Sequence, residues 1–156
     1  MKSLFLAVSA VTLGSFMIAS AQENDMPDPV AEASLSAIGI GVSDLAVSNA
    51  FYTEVLGMKY LTRFELDYMD EIVLRFPGGG SAIVLMQWTD GSKRTLGSNG
   101  IKIVLRVPDP TATAQRIREA GYEIVREPEP SATVGGAVVG FARDPDGYLL
   151  EILPIG

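Results

Sequence analysis

The sequence predicts an α+β fold built from two copies of one unit, in which a strand and a helix precede three further strands. Asp44 and Asp109, the candidate caps of the two helices, are 65 residues apart. Gly57 and Gly121, the candidate helix stops, are 64 residues apart. Self-similarity at a fixed spacing indicates a duplicated βαβββ unit, and a chance likeness between two α+β halves is the alternative.

The first half supplies one complete copy of the unit. Its helix is expected to start at Ser43 or Asp44, to bury Leu45, Phe51 and Val55, and to stop at Gly57. Alternating small and β-branched residues predict a strand at 36–42, and three more strands are expected at about 59–65, 71–76 and 81–88, with a PGGG turn at 77–80.

The second half repeats this order. Asp109 as cap and Pro110 at the first helical position predict a helix that Gly121 ends. Strands are expected at 101–107 before this helix and near 122–126, 137–142 and 148–153 after it.

The first residues have the composition of a targeting segment. Residues 1–21 combine a positive start, an apolar run and a small-residue cleavage signal, so they predict a signal peptide and a periplasmic or secreted protein. An uncleaved membrane anchor is the alternative. Residues 22–34 are interpreted as a flexible acidic leader, with an arm docked over a pocket as the alternative. Residues 35–156 then form a single domain, with modules at about 35–90 and 98–154.

Charge and cysteine content exclude several classes of function. The chain has a net charge of −7 and no basic run, so nucleic acid is not an expected partner, and neither is a membrane after signal cleavage. It contains no cysteine, which excludes a disulfide framework.

Strand alternation sorts the residues of each sheet into two faces. Branched residues such as Ile38, Ile40, Ile101 and Ile103 are expected to pack under the helices. The repeat then makes four positions on the opposite, inward faces equivalent: Ala37, Val84, Lys102 and Glu151.

Two segments carry a resemblance to a known family. VSDLAVSNAFYTEVLGM (42–58) and DPDGYLLEILP (144–154), with the paired modules, resemble the vicinal oxygen chelate superfamily of glyoxalases, bleomycin resistance proteins and extradiol dioxygenases. The resemblance implies that the modules form a U-shaped mixed sheet around a central cavity, often completed in a homodimer. An exposed apolar edge near residues 60–64 would suit such a dimer.

The resemblance also implies where a divalent ion would bind. Its ligands would match Ala37, Val84, Lys102 and Glu151, of which only Glu151 is a metal-binding residue, and the chain has no histidine. We therefore expect neither a metal nor another cofactor. We hypothesise that Lys102 pairs with Glu151 and replaces the ion, while Arg106 grips a carboxylate or enolate. A solvated sheet face with a simple cross-strand pair is the alternative.

Other side chains are weaker candidates. Ala37, Gly39 and Val84 could contact a ligand, with an apolar wall made by Phe64, Tyr68, Met69, Met86 and Trp88, although ordinary core packing is expected of that wall. Asp67, Asp70 and Glu71 could include a general base, although a solvated loop is expected of these three.

The predicted function is an exported small-molecule-binding protein or a metal-independent lyase or isomerase, acting on a small, partly apolar, anionic ligand. In the enzyme, Lys102 and Arg106 would stabilise an oxyanion, and Glu151 or Glu65 would move the proton. The alternative is a metal-dependent glyoxalase-like lyase or dioxygenase. Missing histidines argue against it, and export argues against a glyoxalase because a thiol cosubstrate belongs to the reducing cytoplasm.

Overall fold

The structure is a computed structural model that describes residues 33–97 and 100–156. The predicted signal peptide and nearly all of the predicted leader lie outside these residues. Residues Ser34–Gly156 form one compact unit. Among the described residues, no helix has the length and apolar character needed to cross a membrane.

The first half has the predicted order of one strand, one helical segment and three strands. The strands keep the positions that alternation predicts to within about two residues, the usual uncertainty at element ends. The elements are β1 (Ala37–Gly41), α1 (Leu45–Ala50), a π-helical segment (Phe51–Val55), β2 (Lys59–Glu65), β3 (Met69–Arg75) and β4 (Ala82–Trp88).

The second half repeats this order, with a short 3-10 turn added before its second hairpin strand. Its elements are β5 (Lys102–Val107), α2 (Pro110–Glu119), β6 (Ile124–Pro130), the 3-10 turn (Ala132–Val134), β7 (Val138–Arg143) and β8 (Leu149–Pro154).

The eight strands form two mixed sheets of identical topology. The orders are β1-β4-β3-β2 and β5-β8-β7-β6. In each sheet the first pair is parallel and the other two pairs are antiparallel. The predicted α+β fold of two βαβββ modules is therefore confirmed.

Aspartates and glycines define the helix ends as predicted. Asp44 caps α1 by accepting from the backbone N–H groups of Ala46 and Val47, and Asp109 caps α2 in the same way. Gly57 and Gly121 follow the helices at φ angles of 83° and 88°, which residues with a Cβ rarely adopt. The first helix was predicted as one continuous element, but beyond Ala50 its hydrogen bonds switch to π-helical spacing.

One hydrophobic core lies between the helices and both sheets. It contains Phe51, Leu85, Ile117 and Ile152, each at most 1% exposed. The expectation that all the branched residues of the first strands pack under helices is wrong at the strand starts. Ile38 is 50% exposed, because the core covers β1 only from Ile40 onward.

Two strand boundaries differ from the predictions. β3 begins at Met69, two residues before the expected start, so Asp70 lies in the strand with Glu71 and neither belongs to a solvated loop. β6 continues to Pro130 although it contains two prolines. It is the edge strand of its sheet, where a missing N–H leaves no ladder bond unmade.

Candidate functional site

Lys102 and Glu151 form an ion pair on the face of the second sheet that is turned away from the helices. Lys102 Nζ lies 2.5 Å from Glu151 Oε2. The lysine side chain is 47% exposed and the glutamate side chain 11%. The predicted pair is confirmed, and it explains why a carboxylate is tolerated in the apolar strand β8. The ammonium compensates a largely desolvated charge and still faces solvent.

The strand registers confirm that the four inward positions are equivalent. In the first sheet Gly39 lies beside Val84, and in the second Val104 lies beside Glu151. Ala37 and Lys102 each precede the first member of these pairs by two residues, so they point to the same side. The same corner of the two modules therefore holds an apolar pair in one and a charged pair in the other.

These four positions do not fit a divalent ion. Alanine and valine offer no ligand atom, and the Lys102 ammonium would repel a cation and occupies a Glu151 oxygen. Across residues 33–97 and 100–156, no group of three or more His, Cys, Asp or Glu side chains could hold a metal. The donor set thus disagrees with the site that the fold implies.

Arg106 lies two residues beyond Val104 on the same face of β5. Its Nη1 donates to the carbonyl of Pro154 at 3.0 Å, at the end of β8. The side chain is exposed. Part of its guanidinium is engaged by the backbone at the end of β8, and its role in binding a carboxylate stays a prediction.

Side chains of the first sheet fill the space that its glycines leave. A Cβ on Gly39 would lie 2.9 Å from Met86 Sδ, and one on Gly41 would lie 2.8 Å from the Trp88 ring and from Leu96. The glycines of β1 therefore make room for side chains of β4 and of the following loop. Ligand contacts of Ala37, Gly39 and Val84 stay predictions.

The expected core packing of the apolar wall is wrong for two of its members. Phe64 is 49% exposed and Tyr68 is 50% exposed, because β2 is an edge strand and Tyr68 lies in the turn after it. Met69 is buried, while Met86 and Trp88 are half-buried. The wall is thus partly open, and contacts of Phe64, Met86 and Trp88 with a ligand stay predictions.

A small cavity of about 150 Å³ adjoins the end of this wall. Trp88, Arg94 and Leu96 line part of it, and the Arg94 guanidinium lies 4.9 Å from the centre of the Trp88 ring. A larger, open depression of about 580 Å³ lies along the DPDG turn and residues 121–123. Neither contains Lys102 or Glu151 in its lining.

A buried network joins the two modules behind this face. The Tyr52 hydroxyl donates to Asp144 Oδ2 at 2.9 Å, and Asp144 Oδ1 accepts from the N–H groups of Asp146 and Tyr148. Burial raises the pKa of Asp144, although these hydrogen bonds oppose the shift. Burial and the Asp144 charge also raise the pKa of the Tyr52 hydroxyl, so it remains a donor. The DPDG turn thereby anchors the start of β8, the strand that carries Glu151.

Two further charged residues lie on the helix-free faces: Glu71, which the sequence offered as a candidate general base, and Arg126, which sequence reasoning missed. Glu71 lies between Phe64 and Met86 across the first sheet. Arg126 lies beside Phe141, which in turn lies beside Glu151, across the second. By contrast, Glu65 has the opposite strand parity from Phe64, and its side chain is 71% exposed. Alternation could have marked Glu71, but the bulges in β6 hide the parity of Arg126 from any simple count.

Comparison with known proteins identifies the family. Residues 34–152 match the Glyoxalase/Bleomycin resistance protein/Dioxygenase superfamily. The chain belongs to this superfamily. The predicted resemblance is confirmed, and it extends from the start of the first module into the last strand of the second.

Curated relatives from this superfamily carry lyase names. A probable lactoylglutathione lyase of Synechocystis is 38% identical over 120 residues, which cover 73% of this chain and 89% of that protein. A probable lactoylglutathione lyase of Vibrio parahaemolyticus is 36% identical and covers 72% and 83%. These names favour the alternative above, a metal-dependent glyoxalase-like lyase, over the main prediction of an exported binding protein or metal-independent enzyme.

Solved structures of the superfamily share the fold. The trypanothione-dependent glyoxalase I of Leishmania major has a TM-score of 0.66 at 26% identity, covering 78% of this chain and 86% of that one. TnmS3, an antibiotic-binding protein from Streptomyces, has a TM-score of 0.65 at 20% identity, with 80% and 97% covered. At that identity the second likeness shows the fold alone.

Proposed function

We propose that this chain is a glyoxalase-like lyase or isomerase in which the Lys102 ammonium supplies the fixed positive charge of the site. The ion pair of Lys102 with Glu151 carries the proposal. The names of the relatives support lyase chemistry, and the mismatch of the four ligand positions supports a site that works without a metal. The relatives favour the lyase itself, and the metal-free form rests on this chain's own residues.

The chemistry follows from the positions of the two charges. An ammonium that is half exposed and held by a carboxylate can donate a hydrogen bond to a carbonyl oxygen of a substrate on the open face. A carboxylate base takes a proton from the carbon next to this carbonyl, and the electron pair of the broken C–H bond forms the enolate. The Lys102 ammonium then stabilises the negative charge on the enolate oxygen. Where the deprotonated carbon carries a hydroxyl group, transfer of the hydroxyl proton to the enolate oxygen and return of the abstracted proton to the former carbonyl carbon complete an isomerisation. Glu151 is the proposed base, through the oxygen that Lys102 does not hold.

The experiment follows turnover of lactoylglutathione, the compound in the relatives' names, with and without a chelator. We expect turnover to survive the chelator and to fall about 100-fold in Lys102→Ala, since removing one donor to a developing oxyanion costs on this order. Lys59→Ala removes the same charge from an exposed position on β2 and should retain full activity.

Three results would contradict the proposal in different ways. Turnover that a chelator abolishes and a divalent ion restores would establish the metal-dependent lyase. Turnover that Lys102→Ala leaves unchanged would remove the lysine from the mechanism. Stabilisation by the ligand without any turnover would favour a binding protein of the same fold.

A further inference from the structure

The helix-free face of the second sheet holds a second cation whose environment differs from that of a surface arginine. Arg126 lies over the Phe141 ring, with its guanidinium carbon 5.3 Å from the ring centre. One nitrogen, Nη2, donates to the Val139 carbonyl at 3.3 Å. These two contacts hold the guanidinium flat against the sheet.

The Nε–H of this guanidinium is buried and unsatisfied. Within the described chain it has no hydrogen-bond partner. It forms a loose ion pair with Glu129, whose Oε1 lies 3.9 Å away, too far for a hydrogen bond. A buried unpaired donor is costly, and such groups are rare enough in folded proteins to need an explanation. The side chain as a whole is still 40% exposed, so a ligand can reach the outer edge of the guanidinium, at its two Nη groups, and not the buried Nε–H.

Arg126 and Lys102 lie close enough to act on one small molecule. Phe141 lies directly opposite Glu151 on the neighbouring strand. The guanidinium over Phe141 and the ammonium on Glu151 are therefore about one to two strand spacings apart, roughly 5–10 Å. The Phe141 ring and exposed Val104 supply the apolar surface beside them.

We infer that Arg126, stacked on Phe141, binds a carboxylate of the substrate while Lys102 contacts a second oxygen. The substrate class is then a short organic acid with an oxygen function a few carbon atoms from its carboxylate. The fork of a guanidinium matches a carboxylate in two parallel hydrogen bonds. The inference rests on the proposed function in one respect, that Lys102 contacts the reacting oxygen. It adds Arg126 as a group that binds the substrate carboxylate outside the four positions that match metal ligands.

The test is calorimetric titration of the full chain with 2-oxoglutarate and glutarate, with neutral glutaramide as the matched ligand control. Both acids should bind and glutaramide should not. Arg126→Gln should weaken acid binding by about tenfold or more, the scale of a lost charge-assisted hydrogen bond. The acid affinity of Arg126→Lys should lie between those of the native chain and Arg126→Gln, because lysine keeps the charge but cannot form two parallel hydrogen bonds. Arg118→Gln removes an exposed arginine of α2 and should bind like the native chain.

Thermal unfolding without ligand separates binding from folding. Arg126→Gln should keep the native melting temperature to within a few degrees. If it does not, the acid affinity of Arg126→Lys is compared with that of the native chain instead. Equal acid affinity in native and Arg126→Gln chains, or no acid binding by the native chain, would overturn the inference. If acid binding depends on Arg126 but lactoylglutathione is not turned over, the inference about Arg126 stands and the proposed function is wrong. If turnover requires Lys102 and is unchanged in the Arg126 variants, the proposed function stands and the inference is wrong.

Discussion

Asp144 shows at the scale of one residue how burial and hydrogen bonding compete. The carboxylate is 3% exposed and accepts from the Tyr52 hydroxyl and from two backbone N–H groups. Desolvation is the larger effect and raises its pKa above the ordinary value of 3.8. The folded chain therefore takes up this proton at a higher pH than the unfolded chain does.

Asp144→Asn should remove this pH dependence. Because the folded pKa is raised, the native carboxyl contributes most stability below pH 3.8, and that contribution is lost as the pH rises through the folded value. The stability of the native chain relative to Asp144→Asn should thus improve as the pH falls from neutral toward 3.8. Urea unfolding at several pH values measures the difference, and a difference that shrinks on acidification would contradict the prediction.

Asp144→Ala is the matched comparison at neutral pH. Asparagine keeps an oxygen that can accept from the backbone, whereas alanine leaves two N–H groups and the Tyr52 hydroxyl without it. We expect alanine to cost about 1–3 kcal/mol more than asparagine.

The strand β1 illustrates packing at the scale of an element. Its glycines alternate with branched residues, and one face of the strand therefore carries only the methyl group of Ala37. Met86 covers Gly39, while Trp88 and Leu96 cover Gly41. A thioether chain can change rotamer easily, but an indole ring is rigid and needs room. The two glycines accordingly differ in how much an added methyl group will cost.

Gly41→Ala should destabilise the chain more than Gly39→Ala. The Cβ at residue 41 would meet the Trp88 ring and Leu96 at 2.8 Å, and overpacking of this kind costs about 1–3 kcal/mol. At residue 39 the contact is the flexible end of Met86, so we expect a smaller loss. Chemical denaturation of both variants provides the measurement, and an equal or reversed order would show that the indole moves as readily as the methionine.

At the scale of the whole molecule, the two modules share one core while the edge strand β2 remains apolar and open. Phe51 of the first module packs against Tyr122 of the second with ring centres 4.6 Å apart. On β2, Tyr60, Leu61 and Phe64 are 56%, 45% and 49% exposed. An exposed apolar edge strand favours pairing with another chain.

We propose that two copies of the chain pair through the edge strand β2. We also propose that residues 1–21 direct export of the chain and are then cleaved.

Native mass spectrometry of protein from the exported fraction tests both proposals at once. We expect the mass of a dimer of chains that begin at Gln22. Leu61→Ser should shift the population toward monomer, while Val125→Ser, at an equally exposed position on the edge strand of the other sheet, should not. A chain that keeps Met1 would contradict the signal peptide, and monomer alone at high concentration would contradict the dimer.

The two-module plan and the corner where Lys102 meets Glu151 can both be predicted from the amino-acid sequence. Caps, stop glycines and strand alternation act over a few residues, so they can be read locally and compared between repeats. The folded molecule was needed to show that Met86 and Trp88 fill the space beside the glycines of β1, and that Arg126 lies on Phe141 with a buried Nε–H. Those contacts depend on register, bulges and side-chain direction between strands that are distant in sequence, and no local pattern encodes them.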